Sequence, residues 1–271
     1  MKSIAGQSVS LDEDTSYRPL MNALLRKKNL AKRIRTYCRT SDAHYRGFVE
    51  RLNGERNAVP LADETVNYLV AELRSQLDFI HLFHGCRVFA DSTYHLEGIK
   101  VSTHDLIVTL VSKYVADREA AVAAIEAYNK AHRESCYGII HTVWSLDYWL
   151  SCPGGFSHTA GSELVGNILK AHDAGAYKRF RDDGEPTVFE FKVPVGWLDS
   201  KDWGNYVSTM LLMWLPEYCT LTSLADPRSG GPRLRKDVPA DLLIGRHICD
   251  SGARVMERYN SGTPGKDNPR T

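Results

Sequence analysis

The sequence predicts an α+β domain with a helical N-terminal extension. Three observations carry this. A long basic stretch with helical spacing precedes the first strand-like run. Strands and helices then mix without a strict β-α-β rhythm, and no G-x-G-x-x-G or phosphate-loop motif occurs anywhere in the chain. The last two observations argue against a doubly wound nucleotide fold.

The elements follow in order. Residues 1–17 are polar and acidic around Leu11-Asp12-Glu13-Asp14 and read as a disordered tail. Residues 18–60 read as a basic helical segment, with Leu20, Leu24, Leu25, Leu30, Ile34 and Tyr37 forming an apolar stripe between charges. A domain over 61–259 follows. After Pro60, the residues Val66, Leu69, Val70, Leu73 and Leu77 recur at helical spacing, and Asp63 and Glu64 sit where the helix dipole favours them. The period then changes: Phe79 to His84 reads as a buried strand closed by Gly85. Ser92 is placed to cap a short helix that Gly98 ends. Helices are predicted over Thr103–Val115 and Asp117–His132, a strand over Tyr137–Val143, and a helical turn over Asp147–Leu150. The Pro153-Gly154-Gly155 breaker leads to a helix capped by Ser162 and running through Leu169. Thr187–Val193 alternates as a strand with one apolar and one partly polar face, and Trp203–Leu215 reads as a core helix. A further strand over Tyr218–Leu224 precedes a Gly/Pro/Arg loop over Asp226–Asp237, and 260–271 reads as a disordered tail.

Composition bounds the function classes. The chain has 271 residues, 43% hydrophobic and 25% charged, which excludes disordered, collagen-like and coiled-coil readings. Its longest apolar run, Met210 to Leu215, falls far short of the ~20 residues that span a bilayer. The first residues show no apolar signal region, so a soluble, cytoplasmic protein without membrane contact is expected. The six cysteines are scattered with no C-x-x-C pair, which points to free thiols in a reducing compartment. The net charge of +1 conceals an asymmetry: Arg18 to Arg56 holds eleven Lys/Arg against three Asp/Glu. Such a block fits either a solvated helix face or a polyanionic partner. On the second reading Arg26, Lys27, Lys28, Lys32, Arg33 and Arg35 contact nucleic acid.

The most informative stretch is Leu82-Phe83-His84-Gly85-Cys86-Arg87, followed by Tyr94-His95-Leu96-Glu97-Gly98-Ile99. A strand delivers a histidine to its end, glycine permits close approach of a ligand to backbone, and an arginine follows. That layout suits a planar anionic ligand: the Gly85 backbone pairs with an amide, His84 bonds a ribose hydroxyl, and Arg87 meets a phosphate. His81 and His84 point to opposite strand faces at i and i+3, so they do not chelate a metal together, and no metal site is expected. Cys86 reads as a small strand residue, not a nucleophile.

The stretch resembles the first strand of the ADP-ribosyltransferase superfamily, in the branch with a His-Gly-Thr/Ser/Cys opening and a Gly-Leu/Ile about a dozen residues later. Tyr137-Gly138-Ile139-Ile140-His141 is similar to the second strand of that family, where a tyrosine stacks on nicotinamide. Gly161-Ser162-Glu163 at a helix start is similar to a turn in uncharacterised relatives. The resemblance covers Leu82 to Val101 well and the rest loosely. It implies a split antiparallel sheet, NAD as co-substrate with no metal, and ADP-ribosyl transfer to RNA, DNA or protein by a toxin or phage-defence effector that an antitoxin protein neutralises. On it, His84, Gly85, Arg87, Tyr137, His158 and Ser162 hold NAD, and a carboxylate stabilises an oxocarbenium-like transition state. The family places that glutamate on a late strand. Here the run into Val238-Pro239 carries Arg233, Arg235 and Lys236 and no glutamate. Glu163, in a loop-to-helix turn, is preferred as catalytic residue over Glu190 on a strand. Two other classes stay open: an NAD-independent ribonuclease toxin using His84, His158 and Glu163, and a non-catalytic nucleic-acid-binding module.

Overall fold

The computed structural model describes residues 8–54, 58–132, 137–146, 163–215, 231–250 and 253–258. The protein mixes helix and strand, and its chain divides into two compact units. One comprises Met1–Leu82, Val143–Trp149 and Lys192–Pro232; the other comprises Phe83–Thr142, Leu150–Phe191 and Arg233–Thr271. This division differs from the boundary after residue 60 that the charge pattern predicts. The basic helices belong to a unit whose other parts come from much later in the chain.

In the first unit, strand β1 (Ser8–Val9) pairs in parallel with the start of β2 (Phe79–Val88), Ser8 opposite Phe79 and Val9 opposite Ile80. Helices α1 (Asp14–Lys27), α2 (Leu30–Thr40), α3 (Asp42–Leu52) and α4 (Pro60–Arg74) follow the 3.6-residue pattern of their buried positions. In α2 the buried residues Leu30, Ile34 and Cys38 recur every four positions. The tail expected over 1–17 is corrected from residue 8 onward: Val9, Leu11 and Tyr17 are buried. The Asp12 carboxylate explains part of this order, accepting from the Leu146 amide at 2.7 Å and from the Ser145 hydroxyl. A late helix, which will be α10 (Ser200–Trp214), runs through this core, with Trp203, Tyr206, Val207, Met210 and Leu211 fully buried. The Trp203 indole donates to Val70 O at 3.0 Å, the Tyr206 hydroxyl to Val9 O at 3.3 Å, and the Tyr17 hydroxyl to Met213 O at 3.3 Å. Buried aromatic polar ends are thus satisfied by backbone carbonyls.

In the second unit, α6 (His104–Ser112), α7 (Arg118–His132), α8 (Glu163–His172) and α9 (Ala174–Asp183) share one apolar cluster, including Val108, Val111, Ile125, Val165, Ile168 and Phe180. Short α5 (Tyr94–Glu97) precedes them. Thr103 caps α6, accepting from Leu106 N at 3.2 Å, and Asp173 caps α9, accepting from Gly175 N and Ala176 N at 2.9 Å each. Ser92 does not cap α5; its hydroxyl accepts from Phe89 N at 2.9 Å instead.

The strands depart from expectation in informative ways. β2 continues through Gly85 to Val88, so Gly85 does not close it and His84 lies within the strand. β3 is only Ile140–His141, paired antiparallel with β5 (Arg233–Leu234). β4 (Glu185–Pro194) pairs antiparallel with β6 (Leu243–Asp250), which pairs antiparallel with β7 (Ala253–Arg258). The main sheet has the order β1-β2-β4-β6-β7, and its parallel β1–β2 pair makes it mixed. β4 is buried on both faces from Thr187 to Phe191, so Glu190, on its partly polar face with Lys192, is enclosed. The predicted helical turn over 147–150, strand over 218–224 and tail over 260–271 lie outside the described residues. Among the described residues no helix is long and apolar enough to cross a membrane.

Gly98 ends α5 with φ 77° and is followed by an antiparallel bridge, Ile99 N donating to Val238 O and Val238 N to Ile99 O at 2.8 Å each. A Cβ there would stand 1.9 Å from Val238 O, whereas one at Gly138, also at positive φ (70°), would meet nothing within 4 Å. Gly98→Ala is expected to destabilise by about 3 kcal/mol or more and Gly138→Ala by only about 1 kcal/mol. Urea unfolding of both variants tests this; equal losses would refute the close-approach argument.

Candidate functional site

His84 is half-buried on β2, and its Nδ1 lies 2.8 Å from the backbone oxygen of His141 on β3. A carbonyl only accepts, so Nδ1 carries the proton and donates. In the neutral ring, Nε2 is then left with its lone pair. Burial pushes the His84 pKa below the ordinary imidazole value of 6.5, outweighing the upward pull of the His141 carbonyl. The neighbouring Gly85 is half-buried and adds no side chain that would cover the strand beside the ring. The pair thus consists of an imidazole held in one tautomer and, next to it in the strand, a residue without a side chain.

Arg87 stands differently. Its guanidinium is buried, and Nη1 donates to Arg181 O at 2.5 Å and to Gly184 O. It braces the turn between α9 and β4, in place of the phosphate contact its position predicts. Its Nε is buried without a partner among the described residues. The cause is β2's continuation past Gly85, which carries Arg87 into the interior.

Tyr137 is half-buried; its hydroxyl accepts from Asn129 Nδ2 at 3.1 Å, and its ring meets His104 edge-on at 5.7 Å between centroids. Glu163 opens α8, and its side chain lies outside the described residues, as do His158 and Ser162.

Glu190, the alternative carboxylate, is 7% exposed and receives His247 Nε2 at 3.2 Å; His247 is 1% exposed and packs against the Phe83 ring. The register explains the pair. Val188 opposes His247 and Glu190 opposes Gly245, so the imidazole reaches diagonally across two residues to the carboxylate. Buried and engaged, Glu190 is a structural partner of His247. Sequence reading missed His141, which orients His84, and His247. The carbonyl of His141 leaves no sequence signal. β6 itself went unrecognised because Gly245, Arg246 and His247 interrupt its apolar alternation.

Cys86 is buried, and desolvation pushes its thiol up to about 12, against an opposing hydrogen bond from Tyr94; Cys38 is likewise pushed up to about 11. Both are inert thiols. His81 bonds Ser8 Oγ at 3.2 Å, away from the partner of His84. Among the described residues no group of three metal-ligating side chains occurs.

The six basic residues separate into two sets. Arg33 is spent on a bidentate pair with Glu64 at 2.6 and 2.7 Å, Lys27 pairs with Glu72 at 3.3 Å, and Lys28 lies over the Tyr68 ring at 5.9 Å. Arg26, Lys32 and Arg35 instead line one cleft of the first unit.

Comparison with known proteins finds no matching family model, no matching curated protein and no matching solved structure.

Two outcomes test this geometry. Glu190→Ala leaves His247 buried without its partner and is expected to destabilise by about 3 kcal/mol, with much of the loss recovered when His247→Leu is added to Glu190→Leu. A loss under about 0.5 kcal/mol by urea unfolding would contradict the buried pair. For His84, the folded-state pKa is depressed, so the unfolded chain binds more protons below 6.5. Its contribution is complete above that pH and is lost as pH falls through the lower folded value. Stability measured at pH 7.5 and pH 5 should therefore fall less in His84→Gln than in the parent protein; an equal fall would refute the shift.

Proposed function

We propose that the protein is an NAD-dependent ADP-ribosyltransferase of the toxin or defence-effector kind, with the ADP-ribosyltransferase fold as its finer architecture. The observation that carries this reading is the His84–Gly85 pair on β2. His84 is fixed by the His141 carbonyl with Nε2 as acceptor, which suits a ribose hydroxyl of NAD. Gly85 offers backbone to the carboxamide of nicotinamide. The reading is supported further by the resemblance of Leu82 to Val101 to that superfamily.

The chemistry is a substitution at the anomeric carbon. The bond from nicotinamide nitrogen to ribose C1′ breaks, nicotinamide leaves with the electron pair, and positive charge develops on the ribose. Glu163, at the start of α8, is the carboxylate assigned to that charge. The acceptor's oxygen or nitrogen attacks C1′ and releases its proton. Arg87 has no part in this scheme, because its Nη1 is bound to two carbonyls.

Incubation with labelled NAD and separate RNA, DNA and protein pools tests the reading. Label is expected in one pool, reduced at least about tenfold in His84→Ala and in Glu163→Gln, with both variants melting as cooperatively as the parent. Absence of label from every pool, with no release of nicotinamide, would sink the proposal. RNA shortening without NAD would replace it with a nuclease.

A further inference from the structure

The chain between the end of β2 and the bridge to Val238 is clamped at both ends. At the first end Ser92 N donates to Phe89 O and Phe89 N to Ser92 Oγ, at 2.9 Å each. The Phe89 ring packs on Phe180 at 5.8 Å and on Tyr114 at 6.4 Å between centroids, against the apolar cluster of α6 to α9. At the other end Ile99 exchanges two backbone hydrogen bonds with Val238, and Gly98 lies so close to the Val238, Pro239 and Ala240 backbone that no side chain fits there. Between the clamps lie Thr93 and the single turn of α5.

That turn has little of its own to hold it. Four helical residues close few hydrogen bonds, here Glu97 N to Thr93 O at 2.9 Å and Gly98 N to Tyr94 O at 2.8 Å, and Thr93 makes no side-chain cap. Thr93, His95, Leu96 and Glu97 are exposed. Tyr94 is the residue of this stretch that turns inward. Its ring packs on Phe189 of β4 at 4.8 Å between centroids, and its hydroxyl bonds the thiol of Cys86 on β2. Cys86 is buried and stands two residues beyond His84, so both side chains project from one face of β2, about 7 Å apart along the strand. Tyr94 therefore covers the part of that face next to His84.

We propose that residues 93–97 form a strap over the His84 face of β2, that Tyr94 is its latch, and that the latch opens and closes while the rest of the unit stays folded. The fastening is one side chain, through a ring contact and a hydrogen bond to a weakly accepting sulfur. Segments with so few buried contacts open locally at far less cost than global unfolding. Because the clamps fix where the strap leaves and returns, opening swings Tyr94 outward and uncovers Cys86 and the strand beside His84. For the proposed transferase this supplies an entry: NAD reaches His84 and Gly85 past the open strap, and closure excludes water from the charge developing on the ribose. That role rests on the transferase reading, whereas the opening rests on the contacts of Tyr94.

Labelling of the full chain with N-ethylmaleimide, followed at Cys86 by peptide mass spectrometry, tests it. In the closed strap burial holds the Cys86 thiol up to about 12 and unreactive; an open strap returns it to solvent. Cys86 labelling in the parent protein is expected to depend on urea much less steeply than unfolding does. Equal slopes would mean that only unfolding uncovers Cys86, and overturn the proposal. Tyr94→Ala should label at least about tenfold faster, and Tyr94→Phe, which keeps the ring and loses the hydroxyl, about fivefold faster with an unchanged urea midpoint. Leu96→Ser, at an exposed position, should alter the rate by less than about twofold. No acceleration in either Tyr94 variant, or equal acceleration in Leu96→Ser, also overturns it. At a concentration that raises the melting temperature, NAD should slow Cys86 labelling at least about threefold; a raised melting temperature with unchanged labelling removes the strap from the site. The variant rates are measured without NAD, so a failed latch leaves the transferase reading standing, and absence of NAD binding sinks that reading while the latch stands.

Discussion

A strand buried on both faces tolerates a carboxylate only when something else in the interior satisfies it, and β4 imposes that condition on the second unit. From Thr187 to Phe191 every residue is buried, so Glu190 has no route to solvent. Its partner comes from β6, whose register sets His247 diagonally across from it while Gly245 stands directly opposite. A slip of one residue would turn His247 to the other face and leave both groups stranded. The pairing of β4 with β6, and of β6 with β7, is thereby tied to one hydrogen-bond geometry. The same condition governs Arg87 on β2, whose buried guanidinium is satisfied by two carbonyls at the α9–β4 turn. Two residues that read as site chemistry are held in place by the cost of burying charge.

His84 escapes this fate because it is only half-buried and needs one partner, not a full shell. The His141 carbonyl supplies it. The bond fixes the ring and its tautomer without consuming both nitrogens, which is the arrangement a ligand-binding histidine requires. A histidine bonded on both sides would be purely structural.

In the first unit the deciding constraint is geometric. A helix that buries one face must display the other, and α2 displays cations there. Their surroundings then differ: Glu64 of α4 neutralises Arg33, while Lys32 and Arg35 line a cleft with Arg26 of α1. The basic block was plain in the sequence; which of its charges pair with α4 was not.

Local periodicity carried most helices. The stripes of α2 and α4, the Thr103–Val115 segment, the Ala-rich helix after it and the core character of Trp203–Leu215 were legible because each element's own spacing determines which face it buries. Strands were less legible. β2 ran beyond Gly85 and β6 and β7 went unseen, because burial of a strand depends on what covers its two faces. Val9 and Tyr17 read as tail for the same reason: Tyr206 and Met213, which bond them, lie nearly two hundred residues later. The sequence alone determined the amphipathic helices, the end of a short helix at Gly98 and the His84-Gly85 pair. Only the tertiary structure decided that Arg87 is a brace, that Glu190 belongs to His247, that His84 presents one nitrogen, and which basic residues share a cleft. Those outcomes depend on partners far away in the chain, and no local pattern encodes the energy of meeting them.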